Sequence, residues 1–499
     1  MDKVAALKEK ADVFFGLTVR LGGKYLLLIF ILCLSFICAV LPWYISSIIY
    51  FLLILGIVSI VKPQWGLYCL ILFLPITKNN LYLCIKDDWN FLLIQQYVDL
   101  IPLPYIFVFL FFTTLIIIKL SGVKSYKNKK RLVIPLFILL FYAAITLLWS
   151  KSLEHSFFNF IVFFINVMLF YLIVSIVGDD KTHKMAMWWF VVSLSIQCLM
   201  AVSFYFIDIY KDVLYHIYGN LYFGFSFHGG FFTPDGKIQH AFGLQDHHET
   251  ALLMNMGIAV AIGLFLTTKK RYQRVVLVLI ALLMAAIILR TESRAGIGAF
   301  ICMMGAQLFF IKRLRSHLFI YGISFIILII LLYGLQYVTN TIVTGKQITP
   351  RMLFLGSEMA KSGNFIDPGE VKNKRTTLYK NSFRDLKEYF VEGFGIGNLK
   401  YMQKAPHAHS IYFSFIFDFG LVGLVCLLYI ILSLVYNFIK MYSYQTTYLQ
   451  IMVIVLLCGF ISTAVHGVVD FEYNTTSLWL FLGLIYATIN LSRLEKDKR

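Results

Sequence analysis

Apolar runs recur along the whole chain, and most have the ~17 to 25 residues that an α-helix needs to cross a bilayer. They fall near 25–41, 45–61, 66–78, 103–120, 133–149, 157–177, 186–207, 250–267, 274–290, 295–311, 317–338, 411–436, 448–467 and 474–491. Lipid offers no partner for a bare amide or carbonyl, so each such run must satisfy its own backbone as a helix. The expected fold is therefore an all-α polytopic membrane protein of about 12–14 transmembrane helices. The lower count allows for the short third run and for the Leu41-Pro42-Trp43 turn that joins the first two. Only 14% of the residues are charged, against roughly 25% in a soluble domain, which leaves too little polar surface to cover this chain in water.

The formal net charge of +18 does not point to nucleic acid. The basic residues sit in short loops between apolar runs, as the positive-inside rule requires. With a cytoplasmic N-terminus, the clusters Lys124 to Arg131, Lys269 to Arg274 and Lys312 to Arg315 all fall inside, as does the tail SRLEKDKR. Both termini are expected in the cytoplasm. The N-terminal stretch has acidic residues and no small-residue cleavage site, so no cleaved signal peptide is expected there. The eight cysteines lie almost all within apolar runs, without a CxxC pair, and behave as small core hydrophobes.

This topology puts two long connections outside, about forty residues after Tyr210 and about seventy between Asn340 and His409, far above the usual connection length. Both are rich in aromatic, Gly and His residues, so ordered, functional loops are expected. The expected division is an N-terminal bundle over 1–207, a first periplasmic loop over 208–249, helices with a Ser-Arg hairpin over 250–338, a large periplasmic loop with short helices over 339–410, and C-terminal helices over 411–499.

Polar chemistry gathers at the outer ends of the helices. Asp418 and His466 near span ends, with Gln197 and Gln307 inside spans, are too sparse to draw a path across the membrane, which disfavours a lipid-linked glycan transporter. One cluster is the hairpin Arg290 to Gly296, whose small residues after Arg294 let helices approach. A second is an amphipathic stretch expected to be helical from Thr376 or Thr377 to Tyr389, with Arg375 at its start and Gly393, Gly395 and Gly397 after it. The glycine turn would bring amide N–H groups close to an anion. A third is Pro406-His407-Ala408-His409-Ser410 at the mouth of the next span, where an imidazole can exchange a proton near neutral pH. The first outer loop adds Lys237, His240, Asp246, His247, His248 and Glu249. Adjacent His-His and His-Glu pairs do not easily turn to one ion, so no metal and no cofactor is expected.

Taken in order and spacing, the Ser293-Arg294-Ala295-Gly296 hairpin, Arg375 followed by GFGIGN, His409-Ser410 and the sequence DFGLVG from Asp418 to Gly423 resemble the O-antigen ligase and polymerase family of bacterial polysaccharide assembly. Members usually have Asn after this His and Trp four residues after this Arg, where this chain has Ser410 and Tyr379. The resemblance covers roughly residues 240 to 430. It implies a metal-independent glycosyltransferase of GT-C-like fold acting at the periplasmic face of the bacterial inner membrane. The implied donor is an undecaprenyl-diphosphate-linked glycan, and the acceptor is lipid A core or a second lipid-linked glycan. Carried over by motif, Arg294 and Arg375 hold the donor diphosphate and His409 is catalytic; His407, Arg290, His247, His248 and Lys237 are accessory candidates. Guanidinium forks suit a leaving diphosphate, and His409 suits a general base on the incoming hydroxyl. A single dominant outer loop before His409 favours a ligase, while the loop after Tyr210 leaves room for a polymerase.

Overall fold

A computed structural model describes residues 62–77, 133–209, 247–291, 293–311, 379–399, 410–442, 447–469 and 473–498. Ten longer helices and a short helical segment over 379–386 occupy them; the longer ones are α1 Pro63–Thr77, α2 Val133–Ile145, α3 Leu153–Ile176, α4 Asp180–Ile209, α5 His247–Thr267, α6 Arg271–Thr291, α7 Arg294–Phe310, α8 Ile411–Tyr442, α9 Tyr448–Val469 and α10 Thr476–Lys498. A 3-10 turn, Thr146–Trp149, extends α2. Each apolar run among the described residues forms a helix, and no strand occurs among them. Six helices (α3, α5, α6, α8, α9 and α10) are long and apolar enough to cross a membrane, so the chain is an all-α multi-pass membrane protein. The runs near 25–41, 45–61, 103–120 and 317–338 lie outside the described residues.

Helix α5 is the centre of one group. Every residue from Glu249 to Leu264 is buried, the mark of a helix wrapped by others on all sides. It packs on α4, α6, α7 and α9. A second group sets α3 against α10 and α2, with α2 also against α8, and α9 joins the groups by touching both α8 and α10. Helix α8 exposes Leu421, Val425, Leu428, Leu432, Val435 and Ile439 at alternating intervals of four and three residues. That spacing keeps one apolar stripe on one side of the helix, suited to lipid.

One end of the bundle is tied by a buried histidine. His183 Nε2 lies 2.6 Å from Thr488 Oγ1, and Nδ1 lies 2.9 Å from the Tyr448 hydroxyl. Thr488 gives its own proton to the Leu484 carbonyl. Its oxygen therefore accepts from the ring at Nε2, and Nδ1 accepts from Tyr448. This joins the first turns of α4 and α9 to the middle of α10. His466 stands eighteen residues further along α9, or roughly 27 Å at 1.5 Å per residue, so the residues around it belong to the opposite end.

Candidate functional site

At that opposite end, α8 breaks at Gly420, whose φ of 56° and ψ of −143° leave the helical region. A continuous helix would give the carbonyls of Phe417 and Asp418 to the amides four residues on. Instead the Leu421 amide turns to the Phe390 carbonyl at 2.9 Å, and the freed carbonyls take amides from the glycine-rich loop. Phe394 N–H donates to Phe417 at 2.6 Å and Gly395 N–H to Asp418 at 3.0 Å. The Asp418 carboxylate then accepts from the Gly397 amide at 3.3 Å and from the Tyr473 hydroxyl at 2.7 Å. On the other side of the loop, the Ile396 amide donates to Thr146 Oγ1, Trp149 Nε1 donates to the Gly393 carbonyl, and the Tyr142 hydroxyl donates to the Glu392 carbonyl.

These bonds correct the expectation that the glycine turn offers its amides to an anion. The amides of Gly393, Phe394, Gly395, Ile396, Gly397 and Asn398 all have protein acceptors. The glycines serve close docking instead. Gly393 and Gly420 both have positive φ, and a Cβ on Gly393 would lie 2.5 Å from the Gly420 nitrogen and 2.6 Å from the Asp418 oxygen. The turn is a clip that fastens the loop before α8 to the broken helix.

The clip positions the amphipathic segment before it. Residues 379–386 are helical, and hydrogen-bonded turns of 3-10 type continue to Tyr389, so the α-helix ends three residues short of the expected Tyr389. Its expected start at Thr376 or Thr377 lies outside the described residues. The apolar face meets the first turns of α8: Tyr379 and Phe413 have ring centroids 4.7 Å apart, Phe383 and Phe413 5.3 Å, and Phe383 and Phe417 5.2 Å. Leu386, Phe394, Leu399 and Phe417 close the small core beneath.

A second polar group surrounds the α6–α7 hairpin. Ser293 caps α7, its Oγ accepting the Gly296 amide at 3.1 Å. His248 Nδ1 lies 2.8 Å from the same oxygen, and the His248 ring meets His466 edge to face at 6.1 Å. Asn255 donates to the Gly296 carbonyl at 3.0 Å. Ser293, Gly296 and His466 are buried, while Arg294, one residue after the cap, is exposed. Glu249 lies 3.4 Å from the Ser477 hydroxyl, which joins α5 to the first turn of α10. Among the described residues, no three His, Cys, Asp or Glu side chains stand where they could share a metal ion.

Helix α9 links the two groups. Its Ala464 carbonyl accepts from the Tyr412 hydroxyl at 3.0 Å, and a Cβ on Gly467 would lie 2.8 Å from Ile411. The dipeptide His466-Gly467 therefore touches the hairpin group through His248 and the start of α8 through Ile411. Ser410, buried, opens α8. Lys237, Arg375, His407 and His409 lie outside the described residues, as do the side chains of Arg290 and His247. Sequence reasoning did not anticipate Tyr142, Thr146, Trp149 or Tyr473. Each lies far along the chain from the loop it holds, in a segment with no local signal of its own.

The fold defines a multi-pass helical membrane protein, with two packed polar groups among the described residues at this end of the bundle. Residues 279–428 match the family model described as O-antigen ligase, so this part of the chain is similar to that family. The matched region runs from the middle of α6 through the Arg294 hairpin and the loop before α8 to the middle of α8. It is narrower than the resemblance read from the sequence and leaves out His247 and His248. No curated protein sequence matches the chain.

Proposed function

We propose that the chain is a glycosyltransferase of the ligase type, moving a glycan from an undecaprenyl-diphosphate carrier to lipid A core at the periplasmic face of the inner membrane. The observation that carries this reading is the register between the loop helix and α8. Tyr379 and Phe383 pair with Phe413 and Phe417 in matched steps of four residues. Arg375 and His409 each stand four residues before Tyr379 and Phe413 in the sequence, and this reading brings them together on that side. The Arg294 hairpin lies across α9 from the start of α8, which supports a second guanidinium facing the same space.

In this reading Arg294 and Arg375 hold the donor diphosphate, where their charge offsets the negative charge that builds on the leaving group as the glycosidic bond breaks. His409 takes the proton from the attacking acceptor hydroxyl. The oxygen attacks the anomeric carbon, and the carrier diphosphate departs with the bonding pair. No metal or nucleotide sugar takes part. The long outer loop after Tyr210 supports a second reading, a polymerase that uses another lipid-linked glycan as acceptor.

The test is to express the protein in cells that lack their own ligase and compare glycan ladders on lipid A core. The wild type and Cys69→Ala restore capping; Arg294→Ala, Arg375→Ala and His409→Ala do not, although all reach the membrane. Longer lipid-linked chains without capped core would favour the polymerase. Full capping by Arg375→Ala would remove the proposed diphosphate site.

A further inference from the structure

One face of α5 grips the first turn of α7, the turn that carries Arg294. His248 Nδ1 stands 2.8 Å from the capping oxygen of Ser293. Ala251 packs so closely that a Cβ on Gly296 would lie 2.4 Å from its methyl. Asn255 binds the Gly296 carbonyl at 3.0 Å. The three α5 residues fall at intervals of three and four, on one side of the helix. The first turn of α7 is thus anchored by its cap and its backbone, and Arg294 alone is exposed.

We propose that His248 is a positioning residue for Arg294: by holding the Ser293 hydroxyl it sets the direction in which the guanidinium leaves α7, and so the affinity of the site for a lipid-linked diphosphate. The inference rests on the reading of Arg294 given above. Ser293 Oγ accepts one amide proton, from Gly296, and has its own proton to give. In the tautomer whose Nδ1 is the acceptor, His248 takes that proton and fixes the hydroxyl in the capping rotamer. Glu249, next in the chain, contacts Ser477 on α10. His248 is partly open to its surroundings, unlike the fully buried His183 and His466. That suits a group beside a site better than a plug in the core.

The experiment uses the full chain in lipid nanodiscs with a polyprenyl-diphosphate oligosaccharide as donor, measuring kcat and donor KM. His248→Leu is expected to raise donor KM ~10-fold with kcat within ~2-fold, and His248→Asn, whose side-chain oxygen can accept from Ser293, to restore KM. In an Arg294→Lys background, His248→Leu should add less than ~2-fold, because both changes act through one group. An unchanged KM in His248→Leu, failure of Asn to rescue, or full additivity with Arg294→Lys would each overturn the inference and leave the functional reading standing. A wild type that transfers nothing would remove that reading, and this inference with it.

Discussion

The ring of Tyr379 sits 4.7 Å from that of Phe413, at a tilt of 57°, and so ties the short helix over 379–386 to the first turn of α8. Aromatic pairs at this distance contribute about 0.5–1.5 kcal/mol beyond the area they bury. The contact matters because it sets the register on which Arg375 and His409 are proposed to meet. Tyr379→Ala is expected to lower transfer at least ~10-fold while the protein stays in the membrane, since small misplacements of reacting groups carry large rate penalties. Tyr379→Trp keeps an aromatic face over Phe413 and should retain most activity. Initial rates in membranes with equalised protein levels decide this; equal rates for the Ala variant and the wild type would detach the register from function.

The carboxylate of Asp418 holds two donors, Gly397 N–H and the Tyr473 hydroxyl. Tyr473→Phe removes one of them while keeping the ring among Phe163, Phe415 and Phe419. Leaving a buried acceptor short of a partner costs about 1–3 kcal/mol. The expected result is faster proteolytic cleavage within 393–399 and a lower midpoint of thermal unfolding in detergent. Asp418→Leu should do more, because it also frees the Gly397 amide.

Two glycines give opposed outcomes. Gly393→Ala demands a left-handed backbone from an L-residue, at roughly 1–2 kcal/mol, and drives a methyl into the Gly420 nitrogen and Asp418 carbonyl. It should destabilise the clip and reduce transfer. At Gly298, inside α7, an added methyl would meet nothing within 4 Å, so Gly298→Ala should stabilise the protein by about 0.5–1 kcal/mol. Paired thermal unfolding of the two variants tests the assignment of the turn as a clip.

His183→Phe should lower stability and spare chemistry. It leaves the half-buried Tyr448 hydroxyl without its ring acceptor, at a cost of about 0.5–1.5 kcal/mol. Because this contact lies at the far end of α9 from His466, the variant that remains folded should transfer glycan at the wild-type rate per molecule. A loss of rate at equal folded protein would show that the two ends are coupled.

The helices were legible because membrane insertion imposes one simple rule, length and apolarity, and α5 or α9 obeys it locally. The Gly420 break was not. Phe417-Asp418-Phe419-Gly420 lies within an apolar run that reads as continuous, and the break is stabilised by acceptors and donors from elsewhere, Phe390, Gly395 and Tyr473. The same limit explains the glycine turn. Its sequence reveals free amides, whereas the partners that take them, such as Thr146, stand some 250 residues away in the chain. The polar hairpin was partly legible: Ser293 and Arg294 form a local pattern, but only the packing of α5 joins His248 to them.

The broken turn of α8 is also completed from both sides of the chain. Its carbonyls take amides from a loop that precedes it, and the Asp418 carboxylate has its full set of donors only with Tyr473, between α9 and α10. The loop therefore leaves the ribosome before the broken turn it docks on. A chain truncated before Tyr473 would carry every proposed reacting side chain without a finished place to hold them.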